Sequence, residues 1–383
     1  WLSSRCAWID QARACGQPSQ ATVGRAVSLT GEHGVSEPRK WHVANWLAVW
    51  ETSRVLSRAR GEQKQCVREV HRLAHELVRT PDDVPAEYRV SMGPLPEDAL
   101  TIRRNLFSTL FLSVYQLLDV PSERRLLFGK LNQLFRVWVT GADNLLDAED
   151  KVVLPLRLPH DARTMREVVA IMAADRVLTE ILWSAVEQGT ISVGEARQIS
   201  ARSLQALLGS AGQEATEERG VEERPPPDEV LFVIHRLKTG LFFHIPFVGP
   251  DATGEGDTPL AAELKSALLD FGLGCQLLDD VRDLAVDLRE RRHNYVLSQL
   301  CWQEPEAYAA LLARDPTTLP ERLYLEFPEA GLGAALRGYE MMRDGMAALS
   351  DCGLALRRGD PARLAKTMFR VLDLADLAET IDG

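Results

Sequence analysis

The sequence predicts an all-α protein. Two observations carry that prediction. Apolar residues recur at helical spacing through most of the chain, and no segment alternates apolar and polar residues as a strand would. Clusters of Pro and Gly separate stretches long enough for helices.

At 383 residues the length allows two or three domains, although a large all-helical enzyme can be one. Hydrophobic residues at 45% and charged residues at 26% are those of a soluble globular protein. The formal net charge of −11 argues against a nucleic-acid or anionic-membrane partner, since both require a basic surface. A phosphate-bearing substrate stays compatible with it, because bound Mg²⁺ reverses the local field. Six cysteines without a CxxC fit neither a disulfide framework nor a zinc site, and suit a reducing cytoplasm. No apolar run reaches the ~18–20 residues of a membrane span. Asn105–Leu118 comes nearest and carries Ser, Tyr and Gln.

Residues 1–40 are rich in Gly, Ser and Pro and read as loosely ordered. From Trp41 to Val78 the pattern fits one or two amphipathic helices, with Gly61 as the expected break. Residues 1–90 are therefore expected to be an N-terminal extension and 91–383 the main helical domain. His71 and His75 stand four apart, but with no third ligand nearby they read as ordinary helix surface. Thr80–Pro96 is a Pro-rich connector. The helix Ile102–Leu118 must be buried on most of its circumference. Arg103 and Arg104 at its start are disfavoured by the helix dipole, so they are either solvated or await an anion.

Glu123–Asp150 reads as one long helix, on which Asp143, Asp147 and Asp150 share a face directly after an apolar stretch. Trp138 and Val139 lie one turn or more earlier on the same side. Carboxylates over an aromatic make a metal-capped apolar pocket; the alternative is a helix running out into solvent. Further helices fill 163–208, and 211–228 reads as a mobile acidic loop. Helical pattern resumes at Glu229 and carries Lys238-Thr239, a polar pair that burial penalises unless a group such as phosphate satisfies it.

The stretch Phe271 to Tyr295 also reads as a helix. Asp279, Asp283 and Asp287 stand four apart on it, with Gln276 about one turn before them. Like charges so spaced repel by roughly 0.2–0.5 kcal/mol per pair. Either the row is solvated surface or it holds a cation, and oxygen-only ligands point to Mg²⁺.

These pieces resemble the trans-isoprenyl diphosphate synthase and class I terpene synthase superfamily. Asp143-Asn144-Leu145-Leu146-Asp147 matches its first aspartate-rich motif, with Asn144 in place of an aspartate. Gln276-Leu-Leu-Asp279-Asp280-Val-Arg-Asp283 matches the second, and Lys238-Thr239, 41 residues before Asp279, matches its Lys-Thr diphosphate contact. Arg292 takes the place of a diphosphate-binding lysine, and Arg103 and Arg104 are a faint echo of the basic segment that holds a second substrate. The resemblance covers roughly residues 95–300. It implies a single antiparallel helical bundle around a central apolar cavity, the isoprenoid synthase fold, commonly as a homodimer. It further implies three Mg²⁺ ions held by Asp143, Asp147, Asp279, Asp280, Asp283 and Asp287. Lys238, Thr239 and Arg292 would donate to the leaving diphosphate, while Gln276, Trp138, Val139 and Tyr295 would meet the rest of the prenyl diphosphate.

Two departures bear on the reaction. The Arg-Arg pair that follows the first motif in chain-elongating members is missing, with only Lys151 in that region, and so is the Gly-Gly-Lys lead-in upstream. A donor site without an acceptor site implies ionisation followed by intramolecular attack, so the expected activity is that of a terpene cyclase. The alternatives are a chain-elongating prenyl diphosphate synthase, since Arg103 and Arg104 can still serve an acceptor, and an inactive helical scaffold. Arg282-Asp283 and Tyr295 are also similar to squalene and phytoene synthases, against which Lys238-Thr239 speaks.

Overall fold

A computed structural model describes residues 53–146 and 150–381. Thirteen helices carry them. These are α1 (Arg54–Leu77), α2 (Leu106–Leu117), α3 (Ser122–Leu146), α4 (Arg163–Glu187), α5 (Val193–Glu217), α6 (Pro227–Thr253) and α7 (Pro259–Arg282). There follow α8 (Leu284–Glu290), α9 (Tyr295–Gln303), α10 (Pro305–Leu312), α11 (Pro328–Leu349), α12 (Asp360–Val371) and α13 (Ala375–Thr380). The all-α expectation holds, with one small addition: β1 (Ser91–Met92) pairs antiparallel with β2 (Leu156–Arg157), inside the connectors that flank α2 and α3.

Local chemistry sets several helix starts. Ser53 caps α1, and its hydroxyl donates to the Leu354 carbonyl (2.8 Å), tying the first helix to the far end of the chain. Ser192 and Glu195 form a capping box on α5. Thr258 followed by Pro259 starts α7. Gly61 does not break α1, which runs through it: burial of Leu56, Ala59, Cys66, Val67 and Val70 along one face outweighs the ~1 kcal/mol helix penalty of a glycine.

Two adjoining cores fill the bundle. One is built around α7, α11 and α12, the other around α1, α3, α4 and α5. Helix α7, which carries the second acidic motif, makes its most extensive contact with α11. The two backbones meet at glycines. A Cβ on Gly274 would stand 2.6 Å from the Gly338 carbonyl, and one on Gly338 would stand 2.9 Å from the Gly274 carbonyl. Side chains would force these helices apart and shift Gln276 and Asp279 with them.

Helix α6 is irregular. A π turn spans Val230–His235, a single α turn follows, and Gly240–Phe247 is wound as 3₁₀. By length and composition α6 is apolar enough to cross a membrane, contrary to the expectation that no such segment exists. More than half of that window is buried within the bundle. The segment 211–228 also differs from expectation. Residues 211–217 complete α5, where Gln213 and Glu217 are buried, and the residues after it are stapled to α9 and the turn before it. Val221 N donates to the Arg291 carbonyl (2.7 Å), Trp302 Nε1 to the Arg224 carbonyl (2.9 Å), and Ser298 Oγ to that of Pro225.

Candidate active site

A cavity of about 610 Å³ opens between α3, α5 and α6. Trp138, Val139 and Ala142 of α3 face Leu207, Ala211 and Glu214 of α5, with Phe242 of α6, Glu290 at the end of α8, and Arg292 just beyond it. The apolar wall thus ends at the turn of α3 that carries Asp143, and at the segment just past Asp287. Trp138 is fixed in the wall. Its Nε1 donates to the Ile171 carbonyl (3.2 Å) and its ring meets Phe135 edge to face at 5.5 Å.

The sequence-predicted residues fall into three groups. Trp138, Val139 and Arg292 line the cavity. Arg292 approaches Glu290 with Nε–Oε2 2.9 Å. Lys238, buried at the end of a single turn after the π segment, directs its ammonium at Glu214 Oε1 (3.1 Å) and Glu217 Oε2 (3.6 Å) of α5. Burial works against that charge, but Glu217, Glu214 and Asp287 together outweigh it and hold Lys238 above the ordinary lysine range. The protein itself therefore satisfies the buried lysine. Glu214 and Glu217 were missed in the sequence because their segment reads as a loop; their i, i+3 spacing on a continued helix is the signal that would have found them.

The second group surrounds Asp280. Its Oδ1 accepts from Gln276 Nε2 (2.9 Å) and its Oδ2 from His235 Nε2 (2.6 Å) and from Tyr295 N (2.5 Å). All four residues are almost fully buried. Asp280 is thus a corrected assignment: it points into the core, saturated with donors, rather than toward a metal. Gln276 is corrected with it. Its amide nitrogen is committed to Asp280, so its oxygen must accept, and it does so from Thr239 Oγ. The one hydroxyl proton of Thr239 is spent on Gln276, so Thr239 does not donate to a leaving diphosphate in this arrangement. Tyr295 also leaves the substrate group: its hydroxyl accepts from Arg337 Nη1 (2.5 Å) and that guanidinium covers its ring at 5.4 Å.

The third group is the acidic row. Asp279 and Asp283 converge on Arg282, and Asp287 Oδ2 accepts from Asn294 Nδ2 (2.8 Å). Burial, followed by the charges of Asp283 and Asp280, pushes the Asp287 carboxyl well above its usual range. In the first motif Asp143 is buried and Asp147 lies outside the described residues. Asn144 is a structural clasp: its Nδ2 donates to the Lys151 carbonyl (2.8 Å) and its Oδ1 accepts from Lys151 N (3.1 Å). Asp150 accepts from Arg166 of α4. Among the described residues no three His, Cys, Asp or Glu side chains converge as metal ligands. The donor set is oxygen-only, which suits Mg²⁺.

Arg103 and Arg104 lie outside the described cavity lining. Arg104 Nε pairs with Asp98 Oδ2 at 2.6 Å. Burial, and then the charge of Arg104, bring the neighbouring Arg136 down to about 10.

The all-α bundle has the fold of solved polyprenyl and geranylgeranyl diphosphate synthases. Among solved structures the chain is similar to geranylgeranyl pyrophosphate synthetase from Pyrococcus horikoshii Ot3, with TM-score 0.54 and 16% identity over 82% of this chain and 97% of that one. It is also similar to heptaprenyl diphosphate synthase from Staphylococcus aureus (0.53, 12%, 81% and 98%) and decaprenyl diphosphate synthase from Rhodobacter capsulatus (0.53, 15%, 85% and 98%). No family model matches the sequence, and no curated protein does.

Proposed function

We propose that this chain is a prenyltransferase that ionises an allylic prenyl diphosphate and joins the prenyl group to a second diphosphate substrate, lengthening the chain. The observation that carries the reading is the apolar cavity whose rim places Arg292 and the turn of Asp143 at one end of a wall built from Trp138, Val139 and Phe242. Chain elongation is preferred to the cyclisation expected from the sequence because the solved structures of this fold named above are all chain-length-defined prenyl synthases by name.

Mg²⁺ would be held by Asp143 and Asp147 on one side and by Asp279, Asp283 and Asp287 on the other, where it would neutralise the diphosphate and favour its departure. Arg292, at the cavity rim, would set positive charge beside the leaving oxygens, where negative charge grows. Lys238 would act at one remove, since Glu214 and Glu217 hold its ammonium. Gln276 and Asp280 act at one remove, fixing Thr239 and the packing of α6 on α7. The wall excludes water from the carbocation, and the Trp138 face stabilises it. Arg103 and Arg104, which lie outside the cavity lining, would supply the positive charge for a second diphosphate, in place of the Arg-Arg pair absent after the first motif.

The test is incubation with Mg²⁺ and C10, C15, C20 or C25 prenyl diphosphates, each with and without isopentenyl diphosphate. Longer diphosphates formed only with isopentenyl diphosphate support the reading. Hydrocarbons or alcohols formed equally without it would replace it by cyclisation, and no diphosphate release under any condition would leave a scaffold.

A further inference from the structure

The second acidic row carries a cation of its own. Arg282 Nε donates to Asp283 Oδ1 (2.8 Å), its Nη2 donates to Asp283 Oδ2 (2.6 Å), and the same Nη2 reaches Asp279 Oδ1. The three side chains are only 11%, 15% and 6% exposed. A planar guanidinium gripping one carboxylate with two nitrogens and a second with one of them is a well-formed charge-assisted arrangement.

We infer that Arg282 is a tethered counter-cation that competes with a divalent metal ion for the Asp279–Asp283 pair, and so sets the metal concentration at which this side of the site loads. The inference rests on the reading of that pair as metal ligands. The competition is steric as well as electrostatic. Mg²⁺ requires its oxygens at about 2.0–2.1 Å in near-octahedral geometry, and the oxygens it would use carry the arginine N–H groups. The other cations of the site are engaged elsewhere: Lys238 with Glu214 and Glu217, Arg292 with Glu290.

Backbone geometry gives the arginine its place and its exit. Helix α7 ends at Arg282, Asp283 sits at φ −91° and ψ 13°, and α8 begins at Leu284. On an uninterrupted helix neighbours in sequence do not face each other. The break at Asp283 lets residue 282 fold onto residue 283 while it keeps its i, i+3 contact with Asp279. The same break leaves Arg282 at a helix end, where its side chain can swing out without unwinding α7.

The experiment is a titration of the full chain with Mn²⁺ alone, read by the loss of free-ion electron paramagnetic resonance signal. Mg²⁺-dependent thermal melting is run in parallel, so that neither readout depends on turnover. Wild type, Arg282→Leu, Arg282→Lys and Asp279→Asn are compared. Arg282→Leu is expected to bind the ion roughly ten- to hundredfold more tightly than wild type, the net factor of about one charge-assisted hydrogen bond once water replaces part of the three that the guanidinium makes. Arg282→Lys, which keeps the charge without the fork, falls between them and carries the test should the leucine variant fail to fold. Unchanged or weaker binding in the Arg282 variants, with binding lost in Asp279→Asn, overturns the inference and leaves the metal reading standing. Equal binding by wild type and Asp279→Asn overturns both.

Discussion

Asp279 and Asp280 are neighbours of identical chemistry, and the structure assigns them opposite work. Replacing Asp280 by Ala leaves three buried donors without an acceptor: His235 Nε2, Gln276 Nε2 and the Tyr295 amide. Each stranded buried donor costs about 1–3 kcal/mol, so three together imply a loss of at least about 3 kcal/mol. Asp279→Ala instead removes one of the contacts of Arg282, which keeps both bonds to Asp283, and it relieves an i, i+4 like-charge pair. Its expected effect on stability is smaller than that of Asp280→Ala, because no buried donor is left without an acceptor. Equilibrium urea unfolding, followed by circular dichroism without metal, separates the two through their midpoints. Thermal melting is the weaker assay, because at about 2.1 cal/mol/K per residue the unfolding entropy of a chain this long turns such a loss into a shift of only several degrees. A wild-type midpoint for Asp280→Ala beside a large loss for Asp279→Ala would refute the assignment of the inward carboxylate.

Gly338→Ala is expected to destabilise by about 1–3 kcal/mol in the same unfolding assay, because its Cβ would press on the Gly274 carbonyl at 2.9 Å and on Leu277 Cβ at 3.2 Å. Asn144→Asp, which brings the first motif nearer the superfamily pattern, should cost about 1–3 kcal/mol by losing the donor to the Lys151 carbonyl, and should not tighten Mn²⁺ binding. Trp138→Ala enlarges the cavity and removes the bond to the Ile171 carbonyl, so longer products than those of wild type are expected from chain-length analysis. His244 is held below the ordinary histidine range, first by burial. The unfolded chain therefore takes up its proton at a higher pH than the fold does. Its stabilising contribution is complete above about pH 6.5 and is lost as pH falls through the folded value. His244→Gln should flatten that acid-side loss, as urea midpoints between pH 7 and pH 5 would record.

What the sequence made legible, and what it hid, divides along one physical line. Periodicity reports which residues share a helix face, and on that basis Trp138 and Val139 were read as one face of an apolar pocket, and both line the cavity. It does not report which way a helix face turns when the helix is not ideal. The π turn at Val230–His235 rotates α6 by an extra residue, directing His235 onto Asp280 and Lys238 onto Glu214 and Glu217. None of those partnerships is written in an i, i+4 pattern. The end of α7 at Arg282 does the same for the acidic row, turning what reads as an unbroken stripe of carboxylates into a row with a guanidinium folded into it. Composition misled at 211–217 for a related reason. An acidic, Gly-containing stretch reads as loop, but Glu217 is stabilised by a lysine 21 positions later, and only the fold makes that lysine a neighbour. The π turn in α6 and the end of α7 are both defects that bring charged partners together beside the acidic row. A rule follows for chains of this fold: where the second aspartate motif contains an arginine and the helix ends at it, the motif's carboxylates should be counted as already holding one positive charge before any ion is assigned to them.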